Sequence, residues 1–401
     1  MPNHRRLMLE PGDILYREGE PNECAYLIES GEVILYSNLL GPRVDCERRG
    51  QGSIIGELSI LMGQPRTVTV EAITPCKIFK ISAEQILARF DNLDPVLRAC
   101  VETSISFSAT FTEQMRKLGQ DAPFAPTTLR NADSLIEQFR LESDIFQGLE
   151  EGEFHLQYQP IVSLSQGRVV GVEALMRWQH KQLGMIPPGR FIDLAERMGS
   201  IGKLTEFAVS EACSALSRLR TVNAAAGNMF MSVNISGQDI GRDDFTDFMA
   251  LVVEQHDIAP GTLKLEITET ALVANSNEVM ERLQRLRACG CGLSIDDFGT
   301  GYSNLAYLKA LPLNTLKIDR AFAGDAYENE VSRSIVSMLV GLGRDLGVDI
   351  IAEGLETPEA VETVRSLGCD WAQGFYFSEP ASETQICRML ENLDAGRKGV
   401  A

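Results

Sequence analysis

Histidine is scarce: His4, His155, His180 and His256 are the only four in 401 residues, and none stands at metal-ligand spacing. That argues against a histidine-built metal centre. Cysteine offers no framework either. The nine are odd in number and scattered. Only Cys289 and Cys291 lie close, and C-x-C without partners is a poor zinc signal, so a reduced, cytoplasmic protein is expected. Long apolar runs are missing. The best, Ile335 to Val340, is far short of a membrane span, and no apolar stretch follows Arg5 and Arg6 to suggest a signal peptide. Positive charge is in deficit, with 37 Lys and Arg against 56 Asp and Glu, a net charge of −19. Such a surface repels phosphate backbones and anionic lipid, which argues against nucleic-acid and membrane-surface binding. With no helix-turn-helix segment, a transcription factor is excluded as well. An anionic ligand would need metals or local arginines.

What is present starts with length and apolar content. The 401 residues suggest two or three domains, and 44% hydrophobic residues allow each a core. The organising stretch runs from Cys291 to Asn304. An apolar run ends in adjacent carboxylates, Asp296 and Asp297, followed by a loop with Gly299 and Gly301. This reads as a buried strand that delivers two acids to its C-terminal end. Neighbouring acids repel, so a cation is the expected compensation.

Residues 1–92 carry short alternating segments at 13–16, 25–28, 32–36, 67–72 and 77–81, separated by turn signals. Their spacing predicts an antiparallel β-barrel or jelly roll. Gly56-Glu57-Leu58-Ser59 offers free backbone N–H groups to an anion, and Arg66 can add a two-pronged contact. With Pro11-Gly12-Asp13, Gly19-Glu20 and Ser30-Gly31, this segment resembles the cyclic nucleotide-binding domain family (the cAMP receptor type) over roughly residues 7–118. The resemblance implies a nucleotide site of Gly56, Glu57, Leu58, Ser59, Arg66 and Thr67, with Glu57 on the ribose 2′-hydroxyl and Arg66 on the cyclic phosphate. Thr67 could contact the phosphate or a guanine exocyclic group, so it does not decide between cAMP and cGMP. Analogy with bacterial relatives favours cAMP.

Residues 93–138 read as connecting helices and linker. Pro95 can open a helix, and Leu97, Val101, Phe111, Met115 and Leu118 share one seam with Ser104 and Ser108. At ~1.5 Å per residue the seam would span about 33 Å. It serves either to pair two chains or to cover its own barrel. Gly119 to Pro126 breaks it, and a second helix is expected from Asn131 to Glu150.

Residues 139–401 offer eight candidate strands at 154–163, 169–177, 229–235, 262–267, 291–297, 314–319, 349–353 and 371–377. Amphipathic stretches separate most of them, such as Leu204–Leu219, Asn277–Ala288 and Val331–Leu346. Alternating β and α predicts an eight-stranded α/β barrel. Only Leu164 to Arg168 separate the first two strands, too few for a parallel crossover, so one strand must be reversed. The fold expected is thus an α/β chain: an antiparallel β-roll, connecting helices, and a (β/α)8-type barrel with one antiparallel strand. Glu173, Asn234, Glu266, Asp296, Asp297, Lys317, Glu353 and Gln373 recur where strands end or in apolar surroundings. Oxygen ligands without histidine indicate a hard cation, Mg²⁺ or Mn²⁺. Two such ions bridged by one carboxylate would suit phosphodiester cleavage.

Tyr158-Gln-Pro-Ile, Glu173-Ala-Leu-Met-Arg, Asn234-Ile-Ser, Glu266-Ile-Thr-Glu269, Asp296-Asp-Phe-Gly-Thr-Gly-Tyr-Ser, Leu316-Lys-Ile-Asp319, Ala352-Glu-Gly-Leu-Glu356 and Gln373-Gly resemble the EAL domain family of cyclic di-GMP phosphodiesterases, over about residues 139–392. The resemblance implies hydrolysis of cyclic di-GMP to linear pGpG. It implies Glu173, Asn234, Glu266 and Asp296 on one metal and Asp296, Asp297 and Glu353 on a second. Lys317 would orient the attacking water, Glu353 is the candidate base, and Gln373 would support a water on the metal. Substrate contacts fall to Gln159, Leu175, Arg177, Asp319 and Glu356, and Glu269 would tie down the loop after Asp297. Asn304 and Glu379 depart from the family pattern, and neither is an implied ligand. The expected whole is a cytoplasmic homodimer regulated by a cyclic nucleotide, with the helix after residue 92 biasing the loop at 297–304. The alternative is a catalytically silent receptor for cyclic di-GMP.

Overall fold

The structure, a computed structural model, describes residues 6–38, 43–91, 97–101, 103–105, 141–142, 144–222, 229–269, 277–299 and 308–394. The chain divides into two compact units, Met1–Gln147 with Asp193–Gly199, and Gly148–Ile192 with Ser200–Ala401.

The first unit holds strands β1 (Arg6–Leu9), β2 (Ile14–Tyr16), β3 (Cys24–Ser30), β4 (Val33–Ser37), β5 (Val44–Arg49), β6 (Ile54–Ile55), β7 (Thr69–Ala72) and β8 (Cys76–Ser82). They form two four-stranded antiparallel sheets, in the orders β1-β8-β3-β6 and β2-β7-β4-β5. Ile28, Val33, Val70 and Ile78 pack between the sheets. Three strands go beyond the five expected from sequence. Of these, β5 (Val-Asp-Cys-Glu-Arg-Arg) lacks an apolar face because it is an edge strand, paired only with β4. After the roll, residues 97–101 and 103–105 are helical, and the Thr103 and Ser104 hydroxyls donate to the carbonyls four residues back at 2.8 Å. Ser108, Phe111, Met115, Leu118, the linker at 119–126 and the first half of the expected helix from Asn131 lie outside the described residues. Residues 144–150 are helical as expected.

In the second unit the strands are β9 (Phe154–Ser163), β10 (Val169–His180), β11 (Gly184–Ile186), β12 (Phe230–Asn234), β13 (Leu263–Thr268), β14 (Gly292–Phe298), β15 (Thr315–Ile318), β16 (Asp349–Ala352) and β17 (Trp371–Ala372). Strands β10 and β12 to β17 pair in parallel, and β9 closes the barrel by pairing antiparallel with both β10 and β17. The reversed strand is the one expected. Gly167 N donates to Ser163 O and Ser163 N to Arg168 O, both at 2.8 Å, which closes a tight hairpin. Strand β11, not expected from sequence, extends β10 outside the barrel. Helices such as Ile201–Val222, Asn277–Ala288 and Glu330–Leu346 connect the strands. The last of these buries Val336, Leu339, Val340 and Gly343, one face at three- and four-residue spacing. Ile161, Phe230 and Ile351 cluster in a separate small core within the same sheet.

The eighth strand is shorter than expected, two residues rather than seven. Gln373 therefore follows the strand instead of opening it. Backbone contacts with the loop after β16 explain the stop. Gln373 N donates to Ala352 O at 2.9 Å, and Leu355 N donates to Gln373 O at 3.2 Å. A Cβ on Gly374 would overlap the Leu355 backbone, so only glycine permits this approach.

Candidate active site

Alternation along a strand sends every second residue to the same face. Glu266, two positions past Lys264, and Lys317, two past Thr315, thus share a face with them. The Lys317 ammonium is 1% exposed and sits among four carboxylates. It lies 2.6 Å from Glu353, 2.7 Å from Glu266, 3.0 Å from Asp296 and 3.3 Å from Glu173. Amides complete the ring. Asn234 Nδ2 donates to Glu173 Oε1 at 2.8 Å, and Gln373 Nε2 donates to Glu173 Oε2 at 2.7 Å and Gln159 Oε1 at 2.9 Å. Gln159 Nε2 donates in turn to the Ser378 carbonyl at 3.1 Å.

A regular strand would send Asp296 and Asp297 to opposite faces. The β14–β15 register slips between Ile295 and Phe298, one extra residue on β14, and Asp297 takes a left-handed φ of 53°. This bulge re-aims the second acid. Carboxylate oxygens of Asp296, Asp297 and Glu353 then lie within 4.8 Å of one another.

The electrostatics follow from crowding acids, with Glu173 and Glu266 buried, Asp296 and Glu353 half-buried and Asp297 exposed. Burial pushes Glu353 up to about 8 against the pull of Lys317. Burial and then Asp296 push Asp297 up to about 6. Burial and Glu173 hold Glu266 well above the usual carboxylate range. Burial also acts to raise Glu173, but Lys317, Gln373 and Asn234 outweigh it and keep Glu173 below its ordinary value. For Lys317, burial acts to lower the pKa, and the four carboxylates outweigh it and raise it well above the ordinary value. Glu266 Oε1 and Gln373 Oε1 are buried without a hydrogen-bond partner. One lysine among five acids, with two open buried oxygens and only oxygen donors, fits hard divalent cations.

The remaining expected residues divide. Glu269 is buried, and its Oε2 accepts from Gly299 N at 3.1 Å, where the loop after Asp297 begins. Most of that loop, residues 300–307, lies outside the described residues. Asp319 caps the short helix Arg320–Ala323, accepting from Ala321 N at 2.8 Å, and its side chain hydrogen-bonds to Asp297. Leu175 and Arg177 are half-buried on β10, and Glu356 is exposed. Arg177 Nε donates to Gln157 Oε1 at 2.9 Å. Gln157 was not anticipated, although a polar side chain in a largely apolar strand is the same kind of signal that marked Glu173.

In the first unit, Gly56 caps the short helix Glu57–Leu61 with φ of 81°, and a Cβ there would strike Arg66 Nη1. Arg66 is 4% exposed. It donates to Gly56 O at 2.9 Å, to Ser59 Oγ at 3.0 Å and to Cys24 O, and it lies 4.3 Å over the Tyr16 ring. Its Nε is buried and unpartnered. Leu58 and Thr67 are exposed and Ser59 is buried. Burial raises the Glu57 pKa, and Arg49, whose Nη1 is 3.6 Å away, opposes it. Arg49 is a second residue that motif reading passed over.

Comparison with known proteins agrees with this geometry. Residues 142–380 match the EAL domain model and residues 6–92 the cyclic nucleotide-binding domain model. The chain is 40% identical over 250 residues to the bifunctional diguanylate cyclase/cyclic di-GMP phosphodiesterase MucR of Pseudomonas aeruginosa, covering 62% of this chain and 36% of that protein. It is 38% identical over 244 residues to the cyclic di-GMP phosphodiesterase NbdA of the same organism, covering 61% and 31%. It thus spans about a third of the length of these curated relatives. Among solved structures, the EAL enzyme Bd1971 in its cAMP-bound form is 29% identical with a TM-score of 0.63, covering 96% of this chain and all of that one. PaMucR phosphodiesterase in complex with c-di-GMP is 38% identical with a TM-score of 0.58, covering 62% and 99%. The chain belongs to the EAL domain family, with a cyclic nucleotide-binding domain ahead of its barrel.

Proposed function

We propose that the barrel hydrolyses cyclic di-GMP to linear pGpG with two divalent cations, Mg²⁺ or Mn²⁺, and that the N-terminal roll binds cAMP as an effector. The observation that carries the reading is the convergence of Glu173, Glu266, Asp296 and Glu353 on Lys317, with Asp297 turned to the same side. The names of MucR and NbdA support the reaction, and the cAMP- and cGMP-bound forms of Bd1971 support the effector class.

Glu173, Asn234, Glu266 and Asp296 would hold one cation, and Asp296, Asp297 and Glu353 the other. When bound, the cations lower the pKa of a water and neutralise charge building on the phosphoryl oxygens. Lys317 orients the attacking water, and Glu353 takes its proton at a carboxylate oxygen. The water oxygen bonds to phosphorus as the P–O3′ bond breaks. The proton ends on the 3′ oxygen, which leaves a 5′-phosphate on the linear product. Gln373 supports a water in the cluster. Arg177, held at Nε by Gln157, binds a substrate phosphate. Gln159, Leu175, Asp319 and Glu356 supply the other substrate contacts. In the roll, Glu57 takes the ribose hydroxyl and Arg66 the cyclic phosphate, exchanging backbone carbonyls for phosphate oxygens, with Gly56, Leu58, Ser59 and Thr67 around them. The proposed division is 1–92 nucleotide-binding, 93–138 connecting, and 139–401 catalytic, in a cytoplasmic homodimer. Among the described residues no helix is long and apolar enough to cross a membrane.

The test is turnover of cyclic di-GMP by the purified chain with Mg²⁺, with and without cAMP, following pGpG by chromatography. Appearance of pGpG at a cAMP-dependent rate is expected. Binding of cyclic di-GMP without hydrolysis under both Mg²⁺ and Mn²⁺ would leave a silent receptor instead.

A further inference from the structure

At the end of the barrel opposite the carboxylate cluster lies a cavity of about 560 Å³. Its walls come from the starts of strands. Phe230 opens β12, Lys264 is the second residue of β13, Asp349 opens β16 and Trp371 opens β17. Arg168 and Asp370 are exposed residues on its edge. None of these residues belongs to the site described above.

Lys264 is the unusual group. Lysine is almost never fully buried without a carboxylate partner, yet Lys264 is 5% exposed. Its Nζ donates to Thr315 Oγ1 at 2.7 Å, while the nearest carboxylate oxygen, on Asp349, is 4.0 Å away and out of hydrogen-bond range. The Phe230 and Trp371 rings flank it at 4.0 and 4.4 Å from their centroids. Burial lowers its pKa to about 8. An ammonium with three N–H groups is thus held by one hydrogen bond, two ring faces and a long ion pair with Asp349 on the wall of an open space.

We propose that this cavity is a binding site for a guanine nucleotide, whose donor edge meets Asp349 and Asp370 and whose acceptor edge meets Lys264. The mixed charge of the walls selects the class. A free phosphate or simple carboxylate would face two aspartates, and a cation would face Lys264 and Arg168. The ligand must present donors and acceptors side by side, and the half-buried Trp371 ring on the cavity wall favours a flat one. Guanine has N1–H and the 2-amino group on one edge, with O6 and N7 on the next. Adenine would set its N1 acceptor against a carboxylate and its amino group against the ammonium. Arg168 is placed for the nucleotide's phosphate. Lys264 stands two residues before Glu266 on one strand, about 7 Å away.

The inference does not depend on the reaction proposed above, and calorimetry on the full chain in chelator tests it with GMP, AMP and inorganic phosphate. GMP should bind and AMP should bind about tenfold more weakly or less. Asp349→Asn, at a side chain 48% exposed and so safe for folding, and Lys264→Met should each weaken GMP about tenfold or more. Arg177→Ala, in the other site, should remove at most a separate binding event there and leave the Asp349-dependent one unchanged. Equal affinity for GMP and AMP, displacement by phosphate alone, no binding up to millimolar GMP, or an unaffected Asp349→Asn variant overturns the proposal.

Discussion

Lys317 Nζ lies 2.6 Å from Glu353 Oε1, the lysine buried and the glutamate half-buried, in a cluster whose acids outnumber its bases. Among the described residues, the lysine is the only cation that lies against Glu173, Glu266, Asp296 and Glu353 together. Replacing it with methionine leaves those acids uncompensated. Lys317→Met is expected to lower turnover by roughly 10²–10⁴-fold and to destabilise the metal-free protein by about 3–5 kcal/mol. Chemical denaturation in chelator, beside a turnover assay, measures both. Unchanged turnover sinks the assignment of Lys317 to the water.

The acids also set a pH dependence. Glu353 and Asp297 titrate at about 8 and about 6 in the folded chain, above their ordinary values. A carboxyl raised by folding contributes stability below its unfolded pKa that is lost as pH climbs through the folded one. The metal-free protein should therefore lose stability from about pH 4 to about pH 8, and Mg²⁺ should flatten the slope. Melting curves across that window decide it, and a metal-free melting point that rises with pH contradicts it.

Asp297 combines a left-handed backbone with a charge facing Asp296. Asparagine tolerates that backbone nearly as well and carries no charge. Asp297→Asn should raise the metal-free melting point near pH 8 by a few degrees, about 2–4 °C per kcal/mol, while turnover falls by roughly 10–100-fold. Loss of both stability and activity would show that Asp297 is structural.

Gln157 touches Arg177 through a single hydrogen bond at 2.9 Å. Gln157→Ala should raise KM for cyclic di-GMP about tenfold, the value of one charge-assisted bond, with kcat held. A fall in kcat at constant KM would place Gln157 in the chemistry instead of in substrate positioning.

In the roll, Arg66→Lys keeps the charge and loses the planar fork. The cAMP dissociation constant should rise roughly 10–100-fold, with circular dichroism unchanged. Equal binding by the two proteins argues against Arg66 as the phosphate contact.

Much of this arrangement was legible in the sequence, for reasons that differ by residue. Glu173, Glu266 and Lys317 stood out because polar side chains in apolar strands need a purpose, and all three meet in the cluster. The reversed strand followed from a five-residue gap that no crossover can fit. The bulge at Asp296–Asp297 did not show, because one extra residue leaves the apolar pattern of β14 intact. The short last strand was also hidden, since its stop depends on the Leu355 backbone far along the chain. Arg49 and Gln157 act through neighbours on other elements, Glu57 on a helix and Arg177 on a strand, and no local motif records that.

The reversal of β9 has a geometric consequence. In an all-parallel barrel the first strand starts at the end away from the catalytic loops. Here Phe154 pairs with Trp178, near the C-terminal end of β10, so the polypeptide threads into the barrel at its open mouth. A tug on the backbone before residue 154 would thus be felt first at the rim that carries the carboxylate cluster.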